Sequence, residues 1–147
     1  MKRLASMALL TASFIVTLTA TSAYAQIGSN GHEADIPFAF EVGGKMLEAG
    51  RYTIKPNSFG SAVLQIRSTD GKQGVMVSSY VAQGKADKSH PTKLVFNKYG
   101  DQYFLQSAWT GSDGSIIQRS KRERLVRKEM AATRRVAEVV EIAAVGR

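Results

Sequence analysis

Across residues 36–118 apolar and polar side chains alternate with a period of two, and turn signals interrupt the alternation about every ten residues, the pattern of short antiparallel strands. In the first run Ile36, Phe38, Phe40 and Val42 share one face and Pro37, Ala39 and Glu41 the other. Gly43-Gly44 suits a two-residue hairpin turn, with residues 45–48 returning antiparallel. Tyr52 and Ile54 face inward in the next strand, which Pro56-Asn57-Ser58 closes, and Ala62, Leu64 and Ile66 face inward in the one after it. Asp70-Gly71 predicts a tight turn onto residues 74–81, and the polar run 83–91 predicts a loop. Residues 92–109 hold two β-branched and aromatic runs, Leu94-Val95-Phe96 and Tyr103-Phe104-Leu105, around Tyr99-Gly100-Asp101. They include the sole tryptophan, Trp109, and are expected to form the central hairpin of the core. A short strand at residues 115–118 ends the series. The expected fold is all-β, an antiparallel sandwich or small barrel of about eight short strands, with a C-terminal amphipathic α-helix.

The period changes after residue 118. Ser120-Lys-Arg-Glu123 reads as a capping box, and at a helical pitch Leu125, Val126, Met130, Val136, Val140 and Ala144 fall on one half of a helix, opposite a basic half. The expected helical segment is residues 119–147, with a strand at residues 136–142 as the alternative because branched residues crowd there. Its charge order opposes the macrodipole, with cations at the start and Glu138 and Glu141 near the end. Helix stability therefore gives no reason for the basic cluster at Arg124, Arg127, Lys128, Arg134 and Arg135. An acidic protein, a polysaccharide, an anionic membrane surface or acids on the β body would each give one. A solvated outer face is the plainer explanation.

The chain of 147 residues carries 20 Lys and Arg against 12 Asp and Glu. Residues 26–118 hold nine cations and eight anions, whereas residues 119–147 hold nine and four, so the basic character belongs to the tail. At the other end Met-Lys-Arg precedes a charge-free run to Ala25 that closes in Ala23-Tyr24-Ala25. This is the form of a signal peptide, residues 1–25, cleaved between Ala25 and Gln26, and it implies export to the periplasm or beyond; an uncleaved anchor is the alternative. Residues 26–35 lack periodicity and are expected to be a flexible lead-in to one β-rich domain, residues 36–118. There is no cysteine, so neither a disulfide nor a thiol nucleophile is available.

Catalytic and metal motifs are sparse. No Gly-x-Ser-x-Gly elbow, phosphate-cradling loop or helical His pair is present. His32-Glu33-Ala34-Asp35 offers metal-ligand atoms in the segment expected to be flexible, and Asp113 resembles only half of a calcium loop. Tyr80, Tyr99, Tyr103 and Trp109 could line a ligand cavity but suit a packed core better. Glu41, Asp101 and Glu129 are the carboxylates a hydrolase would use, and nothing in their spacing pairs them. No cofactor, no metal and no nucleic-acid partner is expected.

Four motifs remain. Pro37-Phe-x-Phe-x-Val-Gly43, Leu47-x-Ala-Gly-x-Tyr-x-Ile54, Lys93-Leu-Val-Phe-x-x-Tyr-Gly-Asp-x-Tyr-Phe-Leu105 with Trp109, and Ser120-x-x-Glu123 together resemble a family of small exported bacterial proteins of uncharacterised function. Glu48 stands where that pattern often has proline. The resemblance implies export and a shared fold, and supplies no activity. The leading expectation is an exported, non-enzymatic binding or structural module with a basic helical face; a carrier of a small apolar ligand in a barrel cavity is second, and a hydrolase third.

Overall fold

A computed structural model describes residues 31–56, 62–84 and 92–146. The leader with its cleavage site, residues 26–30, the turn at Asn57-Ser58 and the loop at 85–91 lie outside the described residues. Eleven strands and one helix form among those described: β1 (His32–Ile36), β2 (Phe40–Val42), β3 (Lys45–Leu47), β4 (Gly50–Pro56), β5 (Val63–Ser68), β6 (Gly74–Gln83), β7 (Lys93–Tyr99), β8 (Gln102–Thr110), β9 (Asp113–Ile117), α1 (Lys121–Ala132), β10 (Glu138–Ala143) and β11 (Val145–Gly146). The class is all-β with one helix, as the alternation predicts.

The strands run β10-β7-β8-β9-β6-β5-β4-β1-β11, with β2 parallel to β8 and β3 antiparallel to β2. β6 is the corner. Residues 74–78 pair with β5 in a first sheet with β4, β1 and β11, and residues 79–83 pair with β9 in a second sheet with β8, β7 and β10. At the far side β10 lies on β7 and β11 on β1, with no ladder between β10 and β1. The result is sandwich-like and not a closed barrel.

Turn chemistry explains the hairpins. Gly43 and Gly44 take φ of +60° and +86° between β2 and β3, the pair of positive values a type I′ turn requires. At the β5–β6 turn Asp70 accepts hydrogen bonds from Ser68 Oγ and the Lys72 amide, while Ser68 Oγ accepts from the Gln73 amide. The Ser68 hydroxyl, the Lys72 amide and the Lys72 charge hold the Asp70 carboxyl below its usual range. Tyr52, 1% exposed, donates to the Glu48 carbonyl at 2.7 Å and to Gln73 Oε1 at 3.1 Å, tying two turns together from inside the sandwich. Burial, then the Asp70 and Glu48 charges, push its hydroxyl up and keep it a donor.

The core holds the expected residues of β2, β4, β5 and β7: Phe40, Val42, Tyr52, Ile54, Leu64, Ile66, Leu94 and Phe96 are buried, and Phe38 packs at its border. Four details differ from the sequence-based expectation. Strand pairing begins at His32, within the segment read as a flexible lead-in, because Ala34 and Ile36 point into the core from β1; Pro37, which has no amide hydrogen, follows the end of that strand. Ala62 precedes β5 and is exposed.

The third difference arises in β8. Val95 pairs with Ser107 but Phe96 with Leu105, so Gln106 is the extra residue of a β-bulge. A bulge reverses the alternation. Tyr103 and Leu105 face the core before it, and Ser107 and Trp109 face outward after it. Trp109 therefore lies on the outer face of the second sheet, its indole N–H donating to Ser107 Oγ at 2.9 Å. Phe104 is also on that face, buried edge-to-face against Tyr99 at 5.6 Å and outside the main core.

The Trp109 ring covers Gly114, its cross-strand partner. A methyl group there would stand 2.7–2.9 Å from three ring carbons, closer than van der Waals contact allows. Gly114→Ala is expected to lift the indole off the sheet, destabilise the fold by about 2 kcal/mol and redden the emission of this sole tryptophan, read by fluorescence during urea unfolding.

The fourth difference is the tail. Met130, Ala131 and Ala132 form the last helical turn, Thr133 caps it, and Arg134 takes φ +56°. The Arg134 amide donates to the Ala131 carbonyl at 3.1 Å and the Arg135 amide to Met130 at 3.0 Å, the two bonds of a Schellman stop. The helix ends there, and the branched residues Val139, Val140 and Ile142 continue as β10 along the edge of β7. Glu138 pairs with Lys98 at 3.0 Å and Glu141 with Lys93 at 2.7 Å. Those acids, misplaced on a helix, are well placed on a strand. The bond to Glu138 and its charge raise the Lys98 ammonium above its usual range.

Candidate functional site

α1 stands over the outer face of the second sheet, and its first turn explains how it is held. Ser120 is the N-cap, its hydroxyl accepting from the Glu123 amide at 3.0 Å. The Glu123 carboxylate does not return to the cap as a full capping box would have it. It turns into the sheet, 3% exposed, and accepts from Asn97 Nδ2 at 2.9 Å and the Tyr99 hydroxyl at 3.4 Å, with Arg119 Nε at 3.5 Å. Ser120 Oγ donates to Glu41 Oε1, and Glu41, 2% exposed, has Arg122 at 3.5 Å from its other oxygen. Arg122 also donates to Gln102 Oε1 at 3.0 Å. Burial and the Glu123 charge raise the Tyr99 hydroxyl, partly opposed by the Arg119 and Arg127 charges.

Two buried acids and two arginines thus clamp the helix start. Chemically this is an anchor. The Ser120 hydroxyl is engaged on both sides, donating to Glu41 and accepting from the helix amide. Of the other carboxylates considered for hydrolysis, Asp101 is exposed in the β7–β8 turn and Glu129 is exposed near the helix end. In β1 the alternation sends His32 and Glu33 to opposite faces, and His32 Nε2 lies 2.9 Å from Thr110 Oγ1. Among the described residues no cluster of three metal-ligating side chains forms. The four aromatic residues considered as cavity lining separate: Tyr99 lies beneath the helix, Tyr103 stacks on Phe38 at 3.8 Å, and Tyr80 and Trp109 face outward.

All five predicted partner-binding cations, Arg124, Arg127, Lys128, Arg134 and Arg135, are exposed. Arg124, Arg127 and Lys128 fall within an arc of about 100° on α1, while Arg134 and Arg135 lie in the turn beyond it. Among the described residues none of the five forms an ion pair, whereas Arg119 and Arg122 both do. The apolar half of the helix is only partly covered: Val126 and Met130 are half-buried, but Leu125 is 62% exposed.

Arg124 and Arg127, with Arg119, form one wall of a groove of about 430 Å³ whose remaining lining includes Tyr80, Gln106, Ile116 and Gln118. Tyr80 is among the aromatic residues the sequence offers as cavity lining, whereas Gln106, Ile116 and Gln118 carry no sign of a site in the sequence. The four come from β6, β8, β9 and the residue after it, and meet only once those strands have paired. A second groove, about 490 Å³, lies on the first sheet among Arg51, Lys55, Arg67, Asp70 and their neighbours.

Arg134 is the one non-glycine residue with positive φ among those described. Arg134→Gly is expected to raise stability by about 0.5–1 kcal/mol, read as a higher midpoint in urea unfolding. No protein-family model matches the chain, and no curated protein or solved structure is significantly similar to it. No helix among the described residues is long and apolar enough to cross a membrane.

Proposed function

We propose that the chain is an exported, non-enzymatic binding module that presents the basic face of α1 to an acidic polymer or anionic surface. One observation carries the reading: Arg124, Arg127 and Lys128 on α1 and Arg134 and Arg135 in the turn after it are exposed and without an acidic partner among the described residues, whereas Arg119 and Arg122 at the helix start are paired with buried acids. The fold fixes the helix and leaves those charges for something outside. The interior supports a surface function over the carriage of an apolar ligand, since Phe40, Tyr52, Leu64, Ile66 and Phe96 fill the space between the sheets at 1% exposure or less.

The test is salt-dependent association with three probes: polyglutamate, an acidic polysaccharide and vesicles rich in anionic lipid. Exposed charges are screened within about 8 Å at physiological ionic strength, so affinity for the true partner class should fall steeply as salt rises. Reversing Arg124, Arg127 and Lys128 to glutamate removes three exposed pairings of about 0.5 kcal/mol each, about tenfold in affinity. Thermal stability should barely change. Affinity that ignores both salt and charge reversal would eliminate the reading.

A further inference from the structure

We infer that the groove between α1 and the outer face of the second sheet binds a sugar ring bearing an acid group, so that the acidic partner is a glycan carrying carboxylate or sulfate. This rests on the basic-face reading and specifies its ligand. The groove volume, about 430 Å³, lies within the range of small-molecule sites.

The lining combines three kinds of group in one concavity. Tyr80, 52% exposed, projects from β6 beside its cross-strand neighbour Ile116 and offers a flat aromatic surface with a polar tip. Gln106, at the bulge of β8, and Gln118, just beyond β9, bring amides that both donate and accept, as sugar hydroxyls require. Arg124 and Arg127 bring planar guanidinium forks that match a carboxylate or sulfate bidentately. Among the described residues these two amides and two guanidiniums have no side-chain hydrogen bond or ion pair.

The combination favours a sugar over the other anions. An acidic peptide would be served by the arginines alone and has no need of an aromatic floor set among amides. A bilayer surface is broad and flat, and it meets the outer ridge of α1 more readily than a recess between helix and sheet.

The experiment is calorimetric titration of the full chain after leader removal, with a tetragalacturonate, its neutral methyl ester, a sulfated oligosaccharide, a thymidine oligonucleotide and polyglutamate. The uronate or the sulfated oligomer is expected to bind, with the ester at least about tenfold weaker. Tyr80→Ala should weaken the acidic sugar by about tenfold and leave polyglutamate unchanged, and Tyr80→Phe should restore binding. Arg124→Ala with Arg127→Ala should weaken both ligands. Thermal melts of each variant report whether the fold persists. Equal binding of ester and uronate, indifference to Tyr80→Ala, or tighter binding of the oligonucleotide would overturn the inference. Salt-sensitive binding of polyglutamate with neither acidic sugar bound would overturn it and leave the basic-face reading standing. No binding of any polyanion would remove both.

Discussion

Phe40→Ala is expected to destabilise the protein by about 4 kcal/mol, a large share of the 5–15 kcal/mol typical of a whole domain. Phe40 is fully buried and belongs to β2 in the second sheet, yet it meets Tyr52 of the first sheet edge-on at 5.3 Å and Phe96 of its own at 5.5 Å. One ring thus joins both layers. Its removal opens a cavity that neither neighbour can fill, because Tyr52 is held by hydrogen bonds to Glu48 and Gln73, and Phe96 lies on a strand paired on both sides. Phe40→Leu should cost less than half as much. Urea unfolding with an unchanged slope would check the value, and a loss below about 1 kcal/mol would show that the two layers do not depend on this contact.

Glu123→Ala carries the second largest expected effect, about 3 kcal/mol. The carboxylate is almost fully buried and serves Asn97, Tyr99 and Arg119 together. Without it an amide and a phenol beneath the helix lose their acceptor, and only the contacts of Ser120 and Arg122 to Glu41 and of Arg122 to Gln102 remain to hold the helix start. Glu123→Gln keeps an acceptor oxygen but loses the charge, and should cost less than half as much. Amide hydrogen exchange gives the sharper reading: α1 should lose protection in Glu123→Ala while β4 and β5 keep theirs. Because the clamp orients α1, polyanion binding should also weaken in this variant although every cation of the basic face is intact.

Local signals were readable and long-range ones were not. The hairpins at Gly43-Gly44, Asp70-Gly71 and Gly100 follow from residues that tolerate positive φ, and the alternation of β2, β4 and β5 follows from the need to bury one face. The outward position of Trp109 is hidden in the sequence because a bulge inserts one residue at no cost to the hydropathy pattern and turns the rest of the strand over. The end of the helix at Ala132 is not legible because its stop uses Arg134 where glycine is usual, so the common terminator is missing. Glu138 and Glu141 gave a clue in the other direction: acids that oppose a helix dipole can pair with lysines across a ladder. Of the binding face, the cations were legible as a cluster. Tyr80 stands out only as one aromatic among four, and its meeting with Gln106 and Gln118 is not legible, since the three come from β6, β8 and the residue after β9 and meet only after those strands have paired.

The ladder from His32 to Gly146 joins residues more than a hundred positions apart, and β10 reaches β7 only after the helix has been passed. Contacts so remote along the chain make folding slow. A ribosome must have delivered nearly all the described residues before either sheet can acquire its outermost strand.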